Sequence, residues 1–261
     1  MPPESPLVSV VIPTFNRAPF LRAVIKQVLC QSFTRYELIV IDQSDPDSAA
    51  LNNTFIHHCN DARLHYLFIA ARGPSNARNE GLARARGEIV LFIDDDVILL
   101  DDHFIAAHYG VYANRAVGGV VGRHVERTLT MNARETACRV SPGGRTIFNL
   151  FGTVPVRVGS AKGSNMSFRM EAVAQIGGFD RYLNFLDETD FSTRIIAAGW
   201  VLMFEPSAEL VHLSAPAGGV REKSVVETET RRFRCTAYYI LKNRGTKGIP
   251  LFVLTFGLIA L

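Results

Sequence analysis

The sequence predicts an α/β fold with a mostly parallel central sheet flanked by helices. Strand and helix signals alternate through the first hundred residues, the pattern of βαβ units. The strand runs are continuously apolar, as strands buried on both faces are. Three of those runs end in clustered polar residues. In a parallel sheet such ends share the carboxyl edge, where ligands bind.

The first strand is LVSVVIPTF, residues 7–15, and the helix in 19–32 spaces Phe20, Val24, Val28 and Leu29 on one face. YELIVIDQ (36–43) and LHYLFIA (64–70) are the second and third strands. SNARNEGLARARG (75–87) reads as a helix with Ser75 at its N-cap and Gly87 just past its end. GEIVLFIDDD (87–96) is the fourth strand. Beyond residue 100 the alternation fades. Residues 101–114 read as a helix, 117–168 as Gly-rich and Val-rich pieces, and 124–152 carry no motif. LDETDFSTRIIAAGW (186–200) is a helix whose first turn is acidic, opposing the positive dipole end. VLMFEPSAELVHL (201–213) is a strand interrupted by Pro206.

Composition excludes whole classes. Of 261 residues, 48% are apolar and 20% charged, with a net charge of +3. That is globular, neither disordered nor fibrous, and too weakly basic to imply nucleic acid. The four cysteines (Cys30, Cys59, Cys138, Cys235) are far apart, with no metal-knuckle or redox spacing, and read as a reducing, cytosolic compartment. No basic region precedes the apolar run at the N-terminus, so this run is not expected to be a signal peptide.

The C-terminus reads differently. Residues 221–247 hold eight basic residues, from Arg221 to Lys247, against three glutamates, a local charge of +5. The apolar stretch IPLFVLTFGLIAL (249–261) follows, shorter than the ~20 residues a bilayer span takes. Basic then apolar suits an anionic membrane surface, so peripheral contact with the inner face of a membrane is expected. The abrupt apolar end also reads as a chain cut from a longer protein.

Asp94-Asp95-Asp96 ends the fourth strand. Three adjacent carboxylates repel unless a cation or hydrogen-bond donors compensate, and hard oxygens of this kind suit Mg²⁺ or Mn²⁺ with phosphate oxygens completing the shell. Asp42 ends the second strand. It would accept from a base or ribose, or else close an Asx-turn within DQSDPD. There is no G-x-G-x-x-G and no P-loop, which argues against a dinucleotide cofactor and a P-loop nucleotide site.

Five blocks, VSVVIPTFNRAPFLRAVIKQVLCQSF, ELIVIDQSDPD, ARNEGLARARGEIVLFIDDDV, GSNMSFRMEAVAQIGGFD and LDETDFSTRIIAAGW, stand in order between Val8 and His212. Together they resemble the family-two glycosyltransferases, the GT-A nucleotide-diphospho-sugar transferases. The resemblance implies a GT-A fold with a nucleotide-sugar-binding half (1–100), an acceptor-binding and catalytic half (101–220), and the basic helix and apolar tail (221–261). It implies that Pro13, Thr14, Asn16 and Arg17 contact the nucleotide, that Asp42 recognises the base, and that Arg78 lies near base and ribose. Asp94 and Asp96 match the outer positions of the Asp-x-Asp motif, with Asp95 between them on the donor side. Asp96 would ligate a divalent metal, Mg²⁺ or Mn²⁺, with Asp94, and His212 would be a third metal or diphosphate contact. Gly163, Ser164 and Asn165 would lie beside donor sugar and acceptor.

The family's Glu-Asp order is reversed here, as Asp187-Glu188-Thr189-Asp190. Position for position Glu188 takes the place of the catalytic base, and Asp187 serves instead if the helix start is rotated. The implied activity is metal-dependent, inverting transfer of a sugar to a glycan or lipid-linked acceptor in cell-envelope or extracellular polysaccharide synthesis. Two rivals are a non-catalytic sugar-nucleotide-binding subunit, favoured if Glu188 faces solvent, and a nucleotidyltransferase, which IPTFNR fits poorly because it is no Gly-rich basic loop.

Overall fold

A computed structural model describes residues 5–126, 137–215, 218–219 and 224–257. Arg221, Lys223, residues 258–261 of the apolar tail and residues 127–136 of the motif-free stretch lie outside the described residues.

The first half alternates strictly: β1 (Val8–Thr14), α1 (Ala18–Leu29), β2 (Tyr36–Asp42), α2 (Pro46–Cys59), β3 (Leu64–Phe68), α3 (Pro74–Arg84) and β4 (Ile89–Ile93). There follow β5 (Val97–Leu99), α4 (Phe104–Val111), β6 (Val117–Glu126), β7 (Ala137–Val140), β8 (Thr146–Asn149), β9 (Val156–Arg157), β10 (Asn165–Arg169), α5 (Met170–Ile176), α6 (Asp187–Ala197), β11 (Val201–His212), α7 (Val225–Arg244) and α8 (Ile249–Gly257).

The main sheet runs β3-β2-β1-β4-β10-β6-β11-β5, with β9 on β11, while β7 and β8 form a separate hairpin. The first four positions are parallel; β10 is antiparallel to both β4 and β6. Alternate residues of the buried strands face opposite layers. Val8, Val10, Ile12, Leu38, Val40, Leu91 and Ile93 pack with Leu21, Val24 and Ile25 of α1. Val11, Ile39, Ile41, Val90 and Phe92 pack with Ala77 of α3 and Phe191 and Ile195 of α6. On that second face α3 sits so close that a Cβ at Gly81 would meet Val11 Cγ1 at 2.4 Å.

Several expectations shift locally. The core face of α1 is Leu21, Val24, Ile25 and Val28, whereas Phe20 is exposed only in part. α2 escapes a turn-based reading of DQSDPD because Pro46, at the first helical position, starts the helix that the turn signal hides. α3 starts at Pro74 with Gly73 as N-cap, so Ser75 caps nothing; its hydroxyl instead donates to Leu183 O at 2.7 Å. The 101–114 helix is only α4's eight residues. Pro206 is accommodated in β11 by a register break between Glu205 and Glu209.

The basic C-terminal segment turns part of its charge inward. Lys242 Nζ donates to Asp190 Oδ2 at 2.9 Å and Asp180 Oδ2 at 2.7 Å, and Asn243 Nδ2 donates to Asp190 Oδ1 at 3.0 Å. Asp190 also accepts from Arg194 Nε at 2.9 Å and is fully enclosed. This carboxylate therefore clamps α7 onto α6. No described helix is long and apolar enough to cross a membrane.

Replacing Asp190 with Ala leaves three donors facing an apolar gap. The expected loss is about 2 kcal/mol, below the fully buried range because Lys242 and Arg194 keep some solvent. Denaturant unfolding measures it, and limited proteolysis within 224–244 should accelerate.

Candidate active site

The site forms where the strand ends meet. In-register pairing sets Thr14 beside Asp42, and the acidic triplet follows β4 directly. β5 then pairs antiparallel with the end of β11, His212 opposite Val97. That pairing returns the imidazole to the carboxylates that precede β5.

Each acid of the triplet has its own partners. Asp95 accepts from Thr14 Oγ1 at 2.6 Å and Arg17 Nη1 at 3.0 Å. Burial, the largest influence, still pushes it up to about 6 against both. Asp96 accepts from the Ala215 N–H at 2.8 Å, and its Oδ2 lies 3.1 Å from Arg17 Nη1. Burial would raise it, but His212, the Ala215 amide and Arg17 hold it at about 2. Burial raises Asp94 despite Arg78 and His212. For His212 burial disfavours the imidazolium, yet Asp96 and Asp94 carry its pKa above the ordinary value.

Asp94, Asp96 and His212 offer ligand atoms all within 4.8 Å of one another. His212 Nε2 stands 3.3 Å from Asp96 Oδ1 and 3.8 Å from Asp94 Oδ2. Asp96 Oδ1 is buried without a well-formed hydrogen bond. Two hard oxygens, one of them an unsatisfied acceptor, and one imidazole fit a small divalent cation of the Mg²⁺/Mn²⁺ kind.

Across the cleft, α6 begins after Leu186, whose backbone is left-handed at φ 65°. This turn presents Asp187 and Glu188 at the helix N-terminus, where the dipole favours negative charge. Arg78 of α3 bridges the two sides. Its Nη1 makes a close ion pair with Asp187 Oδ2, and its Nη2 lies 4.0 Å from Asp94 Oδ1. Asp187 is thereby buried and paired. Glu188 is half-buried, and burial together with the adjacent Asp187 carboxylate raises it well above the usual carboxylate range.

A cavity of about 320 Å³ joins these walls. Of the residues expected at the site, it gathers Pro13, Thr14, Arg17, Arg78, Asp94, Asp95, Asp96, Asp187, Glu188 and His212. Five others are absent from its lining. Asp42 is fully enclosed: its Oδ1 accepts from the Ser44 N–H at 2.8 Å, and its Oδ2 from Asn52 Nδ2 at 2.8 Å and Tyr66 Oη at 2.9 Å. It is the Asx-turn residue, and its neighbour Gln43 reaches the cavity wall instead. Asn16 turns away, its amide donating to Asp45 at 2.7 Å. Asn165 is enclosed, bonded to His108 Nε2 at 2.8 Å and to Ala208 O at 2.9 Å. Gly163 supports the site from behind: a Cβ there would fall 2.5 Å from Arg78 Nη2. Ser164, likewise buried, is paired with His124 Nε2 at 2.6 Å.

Sequence reasoning missed Asn184, Phe185, Gly219 and Arg231, all on the cavity lining. Arg231 was visible only as one charge of a basic run.

The fold and this edge of carboxylates define a GT-A-type α/β protein. The profile described as Glycosyl transferase family 2 matches residues 9–175, and the chain belongs to that family. It is 28% identical over 228 residues to the pre-mycofactocin glycosyltransferase of Mycobacterium tuberculosis, covering 81% of this chain and 44% of that one. It is 38% identical over 99 residues to the GalNAc(5)-diNAcBac-PP-undecaprenol beta-1,3-glucosyltransferase of Campylobacter jejuni, covering 36% of this chain and 31% of that one. The chain thus spans less than half the length of these curated relatives. Among solved structures it resembles the mannosyltransferase PcManGT from Pyrobaculum calidifontis, in complex with GDP-Man and Mn²⁺. There the TM-score is 0.64 at 19% identity, over 99% of this chain and 76% of that one.

A thermal-shift titration with Mn²⁺ tests the triad. The wild-type chain should gain stability with Mn²⁺ in proportion to RT ln(1 + [L]/Kd). Asp96→Ala should abolish that gain, and His212→Ala should shift it to higher Mn²⁺ concentrations.

Proposed function

We propose that this protein is a metal-dependent, inverting glycosyltransferase that moves a sugar from a nucleotide-diphospho-sugar to an acceptor hydroxyl. The carrying observation is the cavity in which the Asp94–Asp96–His212 cluster and Glu188 face one another. Asp94, Asp96 and His212 would hold the divalent ion, which supplies Lewis-acid stabilisation of the departing diphosphate. Thr14 and Arg17 keep Asp95 and Asp96 fixed at the donor side.

In the reaction Glu188 accepts the proton of the acceptor hydroxyl as its oxygen bonds to the anomeric carbon. The bond from that carbon to the diphosphate oxygen breaks, and its electron pair leaves with the nucleoside diphosphate. A base opposite the leaving group makes this a direct displacement with inversion. Arg78 and Asp187 are positioning residues: their ion pair orients the first turn of α6 and so aims Glu188. Because Glu188 lines the cavity, a purely binding subunit is the poorer reading. Support for a lipid-linked acceptor in envelope or exopolysaccharide synthesis comes from the name of the Campylobacter relative.

A peripheral membrane contact is a second element of this reading. Ile249, Leu251, Val253 and Leu254 expose apolar surface on α8 beside a basic α7. The chain should co-sediment with vesicles containing anionic lipid and less so at high salt. Equal recovery with neutral vesicles would remove the electrostatic part.

Glu188→Gln should leave nucleotide binding unchanged and lower kcat by roughly 10²–10⁴. A base must be ionised, so turnover should rise with pH across a range above the ordinary Glu value of about 4.3, and the residual activity of Glu188→Gln should lack that rise. Full activity in Glu188→Gln with loss in Asp187→Asn would transfer the role to Asp187.

A further inference from the structure

The cleft adjoins a second cavity. It measures about 720 Å³, lies between the segment that precedes α6 and the exposed side of α7, and shares Asn184 and Arg231 with the first. Its volume falls in the range of sites that enclose small ligands. The first cavity is rich in carboxylates; the second is lined by aromatic rings, the uncharged polar groups Asn184 and Thr230, two arginines (Arg231 and Arg234) and a single acid, Glu227.

The aromatic wall is prebuilt. Leu183 and Leu186 are buried, and Ser75 Oγ holds the Leu183 carbonyl at 2.7 Å, which turns the intervening Asn184 outward. Tyr182, on the same pinned segment, is 82% exposed. Opposite, Tyr238 of α7 is 39% exposed, its ring centroid 6.1 Å from that of Tyr182 and tilted by 50°. The Tyr238 hydroxyl donates to Asp180 at 3.0 Å, and Asp180 is held in turn by Lys242. Two large rings on restrained backbone, left in water beside an active cleft, mark a surface kept for a ligand.

A pyranose has the matching chemistry. One ring face is a patch of C–H groups that packs on an aromatic face, and the rim carries hydroxyls that need partners such as Asn184 and Thr230. An acyl chain would leave those amide and hydroxyl groups unsatisfied. The segment bearing Tyr182 and Asn184 runs straight into Asp187 and Glu188, and Asn184 lines both cavities.

We infer that the second cavity binds the saccharide of the acceptor, its ring face on Tyr182 and Tyr238, with the nucleophilic hydroxyl entering past Asn184 toward Glu188. This inference rests on the transferase reading.

The test is saturation-transfer NMR on the full chain with Mn²⁺ and UDP or GDP. The probes are methyl glycosides of glucose, galactose, mannose, N-acetylglucosamine and rhamnose, with dodecyl phosphate as the lipid-chain probe. At least one glycoside should receive saturation, strongest on the C–H protons of one ring face. Tyr182→Ala and Tyr238→Ala should weaken it by about tenfold, the cost of one lost aromatic contact. Tyr238→Phe, which keeps the ring, should retain it, and nucleotide-induced thermal shifts should be equal in all variants. Binding of nucleotide without any glycoside, glycoside binding indifferent to Tyr182→Ala, or dodecyl phosphate competing for the same tyrosines would each overturn the acceptor assignment while leaving the donor site standing. Failure of every nucleotide to shift the wild-type protein would instead overturn the transferase reading.

Discussion

The arrangement depends on Arg78. A guanidinium this enclosed must be compensated by negative charge, and it finds Asp187 on one side and Asp94 on the other. Those two acids come from different parts of the chain: one follows a strand of the parallel half, the other begins a helix of the second half. Their shared cation ties the halves at the cleft floor. Gly163 keeps the space that the guanidinium fills. If Arg78 were absent, Asp187 would be a buried, unpaired anion beside Glu188, and the first turn of α6 would have two repelling charges to accommodate.

Around that bridge the three adjacent aspartates divide the work. Asp95 is satisfied from within the protein by Thr14 and Arg17 and acts as an anchor for the first loop. Asp94 and Asp96 stand with His212, and Asp96 shares Arg17 Nη1 with Asp95. The triplet runs into a turn after β4, and all three carboxylates line the same cavity. At the end of β2 the neighbours do separate: Asp42 closes its own turn, and Gln43 reaches the cavity.

Much of this was legible beforehand. Continuous apolar runs marked the four parallel strands to within two or three residues; β1, β2 and β4 are buried along almost their whole length, which leaves an unambiguous pattern, while β3 is half-exposed. The acidic triplet at a strand end located the cleft. What stayed hidden has physical causes. Asp42, Asn16 and Asn165 are polar residues whose hydrogen-bond capacity is consumed inside the protein, which residue type alone does not reveal. Asn184 and Phe185 carry no motif; they matter because Ser75, far away in sequence, pins the neighbouring Leu183. The charge run in α7 suggested a solvated or membrane-facing surface, yet Lys242 is spent on Asp180 and Asp190, and Arg231 lines the cleft. Pairing across distant elements decides such cases.

The short strand β5 has a consequence for how the chain matures. The imidazole of the triad arrives only when the end of β11 pairs with β5, and the Ala215 amide caps Asp96 across 119 residues of sequence. Contacts of such separation form late, since loop closure must be met before they are rewarded. A nascent chain that has completed its four parallel strands therefore already carries the carboxylates but not the imidazole that stands with them. The cluster is thus a late product of folding, whole only once the last strand of the sheet has been made and docked.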